Sequence, residues 1–335
     1  MRKLASIRKI LSVQPIPLAD AIEVATVDGW QVVVKKGEFT VGDLAVYCEI
    51  DSWIPHELAP FLSKGTEPRE YNGVRGERLR TVKLRGQISQ GLLLSRYVVL
   101  DRVGEIHEGQ DVTELLGIQK WEAPVPVSLS GIVKGNFPTQ IPKTDQERAQ
   151  NLVAEIRAAQ GAQFEITEKL DGSSMTCYVI DGEFGVCSRN LDLKEDPANV
   201  FWQVALALDI KTKMSNLGLN YLAIQGELVG PAVQGNIYKL SKLNYFVFDI
   251  YDISRGEYLT PQERRSLVEK LGLSHVPVVD PTYVLDSTVE ILLTKAIGKS
   301  LLNNATEREG LVFKQINGGM TFKTISNSFL LGESR

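Results

Sequence analysis

The sequence has few of the residues that build the commonest metal and disulfide sites. It contains three cysteines and three histidines in 335 residues. No Cys-x-x-Cys pair occurs, and His56, His107 and His275 are spread along the chain without metal-ligand spacing. We therefore expect neither a zinc site nor a disulfide framework, and we interpret the cysteines as buried thiols of a protein in a reducing, intracellular setting.

The sequence also lacks the glycine-rich loops that bind phosphates in P-loop and dinucleotide-binding proteins. No apolar run is long enough to span a bilayer. The formal net charge is −4, which opposes attraction of the whole surface to a phosphate backbone. Any contact with nucleic acid must therefore be local, and a chain of this length predicts about two domains.

Residues 1–120 are predicted to be mostly β. The segment IEVATVDGWQVVVKKG places Asp28-Gly29 between two apolar-rich runs, which indicates a hairpin. DLAVYCEI and RLRTVKLRGQISQGLLLS indicate further strands, and DVTELLGIQKW indicates one short helix. Several short strands in about a hundred residues are typical of a small barrel or sandwich.

A basic run lies within this β-rich part, in RGERLRTVKLR at residues 75–85. If it continues as one strand, Thr81, Lys83, Arg85 and Gln87 share a face and the apolar residues between them share the other. Lys83 and Arg85 are then candidates for contact with phosphates, since positive charge dominates such binding. The alternative is an ordinary solvated sheet face.

Residues 121–143 are rich in proline and show no periodicity, which predicts a linker. In the next segment, TDQERAQNLVAEIRAAQG, Thr144 and Glu147 have capping-box spacing, which predicts a helix that opens the second domain. From residue 144 to 335 strands and helices alternate irregularly, so we expect an α+β domain. Strands are predicted in NYLAIQGELVG, KLNYFVFDIYDI, EGLVFKQI and MTFKTISNSFLL, and helices in PANVFWQVALALDI, PQERRSLVEKLGL and STVEILLTKAIG.

A lysine lies at the end of a predicted strand in EKLDGSS, residues 168–174. Apolar residues alternate on both sides of it, and Asp171-Gly172 predicts a turn. A Lys-x-Asp-Gly match alone should arise by chance in roughly one chain in ten of this length. It gains weight because VCSRN, QGELVG, FVFDIYD, EREGLVFK and MTFKTIS follow it in that order.

These ordered motifs resemble those of the covalent nucleotidyltransferases, which include ATP-dependent ligases and mRNA capping enzymes. The β-rich part in front, with RTVKLRGQISQGLLL and IPKTDQERAQN, is similar to the RNA ligases of the Deinococcus and Naegleria type. The resemblance covers nearly the whole chain. It implies an N-terminal all-β OB-like barrel followed by an α+β nucleotidyltransferase domain, with ATP and Mg²⁺ or Mn²⁺ as cofactors and RNA as the partner of a monomer.

The resemblance also implies a role for each matched residue. Lys169 is the expected nucleophile, and Lys323 is expected to contact the α-phosphate. Asp171 and Glu309 are the expected metal-binding acids. The residues expected to bind the nucleotide are Glu168, Arg189, Glu227, Phe248 and Lys314, with Arg189 and Glu227 at the ribose and Phe248 stacked on the base.

Three assignments carry alternatives. Related ligases often have Lys-x-Lys in the last motif, whereas this chain has Thr321-Phe322-Lys323, and Lys314 is the candidate to compensate. Phe248 could instead be a core residue of its strand. Lys143 and Arg148 are expected to contact phosphates, or else belong to a solvated helix start.

The implied reaction begins with attack of Lys169 on ATP, for which the amine must lose its proton. We expect partial burial, Lys323 and a divalent metal to lower its pKa from the free value of about 10.4. AMP would then pass to a 5′-phosphate, and an RNA 3′-OH would displace it to seal a nick. The alternatives are a DNA ligase or capping guanylyltransferase, or a non-catalytic RNA-binding OB protein.

Overall fold

The computed structural model describes residues 3–123 and 132–332. The described chain forms two compact units. The first comprises the residues up to Ala123 together with Ala149–Ile156 and residues 330–332, and the second comprises residues 132–148 and 157–329. Two short pieces from beyond residue 144 thus belong to the first unit.

The first unit is almost entirely β, as the sequence predicts. Its strands form a three-stranded sheet in the order β1-β5-β11, a sheet β2-β3-β4, a sheet β12-β6-β8-β7 and a hairpin β9-β10. The strands are β1 (Ala5–Lys9), β2 (Ser12–Pro15), β3 (Ile22–Val27), β4 (Trp30–Lys35), β5 (Leu44–Cys48), β6 (Ser52–Pro55), β7 (Arg69–Tyr71), β8 (Val74–Arg78), β9 (Val82–Leu84), β10 (Gln87–Ser89), β11 (Leu92–Ser95) and β12 (Gln119–Lys120).

The hairpin predicted at Asp28-Gly29 is confirmed. Val27 pairs with Trp30 across the two-residue turn, and Asp28 has a φ of 46°, which aspartate tolerates in such turns. Trp30 is fully buried in a cluster with Val32 and Tyr47. Burial of this large ring on the inner face fixes the register of the hairpin.

Two predictions for the first unit are wrong in detail. DVTELLGIQKW forms turns and strand β12, while the helix α1 lies at Tyr97–Val103. The basic run does not continue as one strand, because Arg85 and Gly86 have φ values of 50° and 83° and turn the chain between β9 and β10. Lys83 and Arg85 are exposed, but Thr81 is buried, so the predicted face of four residues does not form.

The second unit contains two sheets whose strands are mostly antiparallel. An eight-stranded sheet has the order β13-β17-β16-β15-β18-β19-β20 with β21 beside β19, and a four-stranded sheet has the order β22-β14-β23-β24. The strands are β13 (Val133–Asn136), β14 (Gln163–Lys169), β15 (Ser173–Ile180), β16 (Glu183–Cys187), β17 (Leu191–Leu193), β18 (Leu222–Val229), β19 (Asn244–Asp252), β20 (Glu257–Tyr258), β21 (Ser274–His275), β22 (Val278–Val284), β23 (Gly310–Gln315) and β24 (Thr321–Ile325).

Helices pack against these sheets. Asn199 caps its helix by accepting from two backbone amides, and Thr260 and Glu263 form a capping box. The three predicted helical segments of the second unit are confirmed. The remaining α-helices are α2 (Val153–Ala158), α3 (Val200–Ala207), α4 (Ile210–Asn216), α5 (Pro261–Lys270), α6 (Val289–Ala296) and α7 (Asn327–Leu331), and short 3₁₀ helices lie at Pro60–Ser63, Ala149–Asn151 and Gln234–Asn236.

The helix predicted from Thr144 begins later. Residues 144–148 are extended or irregular, and α2 starts at Val153. The backbone N–H of Lys323 donates to the carbonyl oxygen of Glu147 at 2.8 Å, and Arg148 and Lys323 form an isolated parallel β-bridge. This pairing with β24 uses backbone groups that a helix would need. Of the predicted linker 121–143, residues 124–131 lie outside the described residues, and its later part contains β13.

All three cysteines are buried and unpaired, as the sequence predicts. Among the described residues no helix is long and apolar enough to cross a membrane.

Candidate active site

Three lysines share one face of the four-stranded sheet. Lys169 at the end of β14 lies opposite Gly310 of β23, and Lys323 of β24 lies opposite Val312 of β23. Lys314 is two residues beyond Val312 and pairs with Glu165 of β14. Because side chains alternate between the faces of a strand, these positions all point to the same side.

The amine of Lys169 lies against a carboxylate. Its Nζ is 2.8 Å from Oε2 of Glu309, which immediately precedes β23. Burial alone would lower the pKa of Lys169, but Glu309, Glu227 and Asp171 outweigh it and hold that pKa above its ordinary value. Without a bound cation the three acids around Lys169 thus outweigh burial, and the lowering expected with a divalent metal stays a prediction.

Glu227 lies on β18, paired with Ser174 of β15. Burial raises the pKa of its carboxyl to about 8, Lys169 opposes that rise, and Glu309 and Asp171 add to it. Asp171 is held by its backbone N–H, which donates to the hydroxyl of Tyr238 at 2.7 Å. The site thus gathers more carboxyl groups than its lysine can neutralise.

Gly172 lets two strands approach each other next to this site. A Cβ at that position would lie 2.3 Å from the carbonyl oxygen of Leu228 in β18. No side chain fits there, so the turn after Lys169 stays tight and holds Asp171 near this lysine.

The donor set fits a weakly held divalent cation. Among residues 3–123 and 132–332 no group of three His, Cys, Asp or Glu side chains is arranged to hold a metal. However, Asp171, Glu227 and Glu309 act on one another electrostatically, and a cation beside them would relieve their repulsion. Mg²⁺ is commonly bound in this way, through one or two carboxylates, several waters and phosphate oxygens of the substrate.

Phe248 lies on β19 and is half-buried in an apolar cluster with Leu170, Tyr238 and Val276. The register shifts between Gln225 and Gly226 of the neighbouring strand, so the strict alternation that would align Phe248 with Ile250 is broken. Phe248 therefore lies outside the core face that Ile250 occupies, and part of its surface stays exposed.

Lys314 is buried and contacts the same strand. Its Nζ lies 2.6 Å from Oδ1 of Asp249 and donates to the carbonyl oxygen of Phe248 at 2.6 Å. Burial lowers its pKa to about 8 although Asp249 acts in the opposite direction. These contacts place the Lys314 amine against Phe248 and Asp249 of β19 rather than beside Lys323.

A buried network of charged residues continues from the ion pair of Lys314 and Asp249. The sequence gives no local signal for this network. Arg264 of α5 and Glu165 of β14 are fully buried and form an ion pair, and Arg265 also pairs with Glu165. Nε of Arg264 donates to Nε2 of His275 at 3.0 Å. The partners lie about a hundred residues apart along the chain, so no spacing rule could connect them.

Lys323 and Arg189 meet at one carboxylate. Nζ of Lys323 lies 3.2 Å from Oδ1 of Asp145, and a guanidinium nitrogen of Arg189 lies 3.7 Å from Oδ2. Arg148, which lies shortly after Asp145 in the sequence, is buried. Lys143, which lies shortly before it, donates to Oδ1 of Asn190 at 2.9 Å. Of the five basic residues expected at phosphates, Lys143, Arg148 and Lys323 therefore lie in or contact this short stretch, whereas Lys83 and Arg85 lie in the first unit.

Glu168 lies on the opposite face of β14 from Lys169. Oε2 of Glu168 accepts from the backbone N–H of Leu301 at 2.7 Å, and burial raises its pKa. Its side chain thus anchors the segment before Glu309, and its expected nucleotide contact stays a prediction.

Comparisons with known proteins agree with this arrangement. A family model described as an OB-fold domain matches residues 4–96, and one described as RNA ligase matches residues 162–326. No curated protein matches the chain. Among solved structures, Naegleria gruberi RNA ligase with PPi is 48% identical over 100% of both chains, with a TM-score of 0.94.

Two further structures of Naegleria gruberi RNA ligase are similar. A variant with ATP and Mn is 48% identical over 99% of this chain and 100% of that chain, with a TM-score of 0.93. A variant with AMP and Mn is 47% identical over 100% of both chains, with a TM-score of 0.94. The chain therefore belongs to the RNA ligase family, and the predicted OB fold followed by a nucleotidyltransferase domain is confirmed.

Proposed function

We propose that this RNA ligase uses ATP and a divalent cation, Mg²⁺ or Mn²⁺, to seal RNA 3′-OH and 5′-phosphate ends at nicks through an AMP-linked Lys169. The observation that carries the proposal is the position of the Lys169 amine, 2.8 Å from Glu309 and on one face with Lys323. A strand-end lysine among carboxylates suits a nucleophile whose charge state depends on what else binds there.

The chemistry proceeds in three phosphoryl transfers. Lys169 attacks the α-phosphorus of ATP and pyrophosphate leaves, then the RNA 5′-phosphate displaces the lysine, and the 3′-OH displaces AMP. The surrounding carboxylates hold Lys169 as an ammonium before nucleotide binds. A cation bound by Asp171 and Glu309 would supply charge neutralisation, which frees the amine to lose its proton.

The other residues position the nucleotide. Lys323 faces the same side as Lys169 and neutralises the α-phosphate, where negative charge develops. Arg189 and Glu227 bind the ribose, and Phe248 stacks on adenine. The Lys314 amine supports Phe248 by donating to the backbone carbonyl of that residue. Glu168 acts from the opposite face of β14, where it accepts from the backbone of Leu301.

The first unit engages the RNA. Residues 1–120 form the OB-like nucleic-acid-binding domain, residues 121–143 the linker and residues 144–335 the adenylation domain. Lys83 and Arg85 are exposed on one hairpin and contact phosphates, as do Lys143 and Arg148 in the second domain. We propose that the protein acts as a monomer inside the cell, in RNA repair.

Labelling with α-³²P nucleotides tests the proposal. Incubation with ATP or GTP and Mg²⁺, followed by denaturing electrophoresis, should label the chain with ATP alone. GTP labelling would favour a capping guanylyltransferase, and no label would favour a non-catalytic RNA-binding protein. Sealing of a nicked duplex by the ATP-labelled protein, with RNA or DNA on the 3′-OH side, distinguishes RNA ligase from DNA ligase.

A further inference from the structure

Asp145 lies between two cations that the proposed function assigns to the nucleotide. Its two carboxylate oxygens face different partners, with Oδ1 at 3.2 Å from Lys323 Nζ and Oδ2 at 3.7 Å from a guanidinium nitrogen of Arg189. Lys323 has 10% of its side chain exposed, so its amine has little access to solvent. A carboxylate that bridges two cations has the charge and the shape of two oxygens of a phosphate.

The segment that carries Asp145 is fixed by its neighbours. The carbonyl oxygen of Pro142 accepts from Nε2 of Gln225 at 2.9 Å, and the Glu147 carbonyl accepts from the Lys323 backbone at 2.8 Å. Lys143 donates to Asn190, beside Arg189. The backbone on both sides of Asp145 is thus attached to the strands and the turn that carry the site, which leaves the carboxylate little freedom to move away.

These contacts have a consequence for ligand binding. A nucleotide can reach Lys323 with a phosphate and Arg189 with its ribose only if the two ion pairs with Asp145 weaken, because the nucleotide oxygens and the Asp145 carboxylate accept from the same donor groups. Without nucleotide, the same pairs hold two long, flexible side chains at the site. Asp145 therefore both orders the cations and competes for them.

We propose that Asp145 is a positioning residue that occupies the place of a nucleotide phosphate in the free enzyme and is exchanged for that phosphate when nucleotide binds. This inference rests on the proposed function, in which Lys323 and Arg189 bind the nucleotide. It predicts that Asp145 weakens the binding of a nucleotide more than that of the nucleoside, which has a ribose for Arg189 but no phosphate for Lys323.

The test compares Asp145→Asn with the unaltered chain in binding of α,β-methylene-ATP, which cannot transfer AMP, and of adenosine, which has no phosphate. Two partly exposed ion pairs contribute about 0.2–1 kcal/mol each, so we expect the analogue to bind roughly two- to thirtyfold more tightly to the variant. Adenosine affinity should rise less, because adenosine has a ribose for Arg189 but no phosphate for Lys323. Asp181→Asn removes the same charge in an exposed turn that asparagine tolerates, and it should alter neither affinity.

A cycle with Arg189→Met separates competition from a merely structural role. If Asp145 acts through these cations, the gain from Asp145→Asn should shrink in the Arg189→Met background. Equal or weaker analogue binding by Asp145→Asn, or an equal change in adenosine affinity, would overturn the inference. If Asp145→Asn melts at a lower temperature, Asp145→Ser provides the same comparison with a smaller side chain. Failure of the unaltered chain to bind the analogue would instead contradict the proposed function.

Discussion

Lys314 and Asp249 form an ion pair 2.6 Å long, with only 6% and 7% of their side chains exposed. The same amine donates to the backbone carbonyl of Phe248, the residue proposed to stack on adenine. Because this amine donates to the peptide unit of Phe248, the position of the aromatic ring depends on the Lys314–Asp249 pair. The pair thus links the stability of the domain to the geometry of the base site.

Replacing Lys314 by methionine should destabilise the protein by at most about 3–5 kcal/mol, because the buried Asp249 carboxylate would lose its nearer partner and keep only Arg264, whose guanidinium nitrogen lies 3.7 Å away. Urea unfolding measures this change in the free energy of unfolding. The double variant Lys314→Met with Asp249→Asn removes both charges and should recover much of the loss. A loss below about 1 kcal/mol in the single variant would mean that the pair behaves like a surface pair.

The protein should lose stability on mild acidification because of His275. Burial, then the nearby Arg264, lowers the pKa of His275 to about 3, while the Val276 carbonyl acts in the opposite direction and Lys314 and Arg265 lower it further. The folded state therefore favours the neutral ring, so stability is complete above the unfolded pKa near 6.5 and falls as the pH drops toward 3.

Between pH 6.5 and 5 this group should cost about 2 kcal/mol, at 1.36 kcal/mol per pH unit. Urea unfolding at several pH values measures the slope. His275→Gln keeps a side chain able to hydrogen-bond but cannot titrate, so its slope over this range should be smaller by about one proton. Equal slopes for the two proteins would show that His275 does not cause the loss.

Most strands and the place of Lys169 at a strand end were predictable from the sequence because their signals are local. Alternating apolar residues defined β14 and β18, and the ordered motifs selected Lys169 and Glu227 from many candidate residues. The contacts of Asp145 were not predictable, since its partner Lys323 lies 178 residues further along the chain. Glu165 and Arg264, 99 residues apart, were missed for the same reason.

Two predictions failed for different physical reasons: a tertiary contact in one case and an unusual turn in the other. Thr144 and Glu147 have capping-box spacing, but the Glu147 carbonyl accepts from Lys323, so its segment lies along β24 instead of starting a helix. Arg85-Gly86 is a two-residue turn with positive φ at both positions, a conformation usually signalled by Asn-Gly or Asp-Gly. Because arginine is rarely found there, the run around it resembled one continuous strand.

Substitution of Lys169 by alanine should abolish covalent attachment of AMP, because Lys314 and Lys323, the other lysines on that face of the sheet, are held by Asp249 and Asp145. Labelling with α-³²P-ATP, followed by denaturing electrophoresis, measures attachment. Lys211→Ala changes an exposed helical lysine and should label normally. Unfolding in urea checks that both variants are folded. Retained label in folded Lys169→Ala would place the nucleophile elsewhere.

The exposed hairpin of the first unit provides the last prediction. Lys83 lies on β9, and Arg85 lies in the turn beside it, next to Val82 and Leu84, whose side chains are each 43% exposed. If both cations contact phosphates, replacing them with alanine should weaken binding of a nicked RNA duplex. The slope of log affinity against log salt should become shallower by about two, because each lost contact releases about one counterion fewer.

Binding isotherms at several salt concentrations measure this slope, and a matched control removes two other exposed charges from the same unit, at Lys35 and Lys36. Both double variants change the net charge equally, so a general electrostatic effect would alter both slopes alike. A phosphate contact at the hairpin would alter only the slope of the variant that lacks Lys83 and Arg85. AMP attachment to Lys169 should persist in both, since the lysine and its carboxylates lie in the second unit. An unchanged slope for the Lys83 and Arg85 variant would leave these side chains as solubilising charges on an exposed turn.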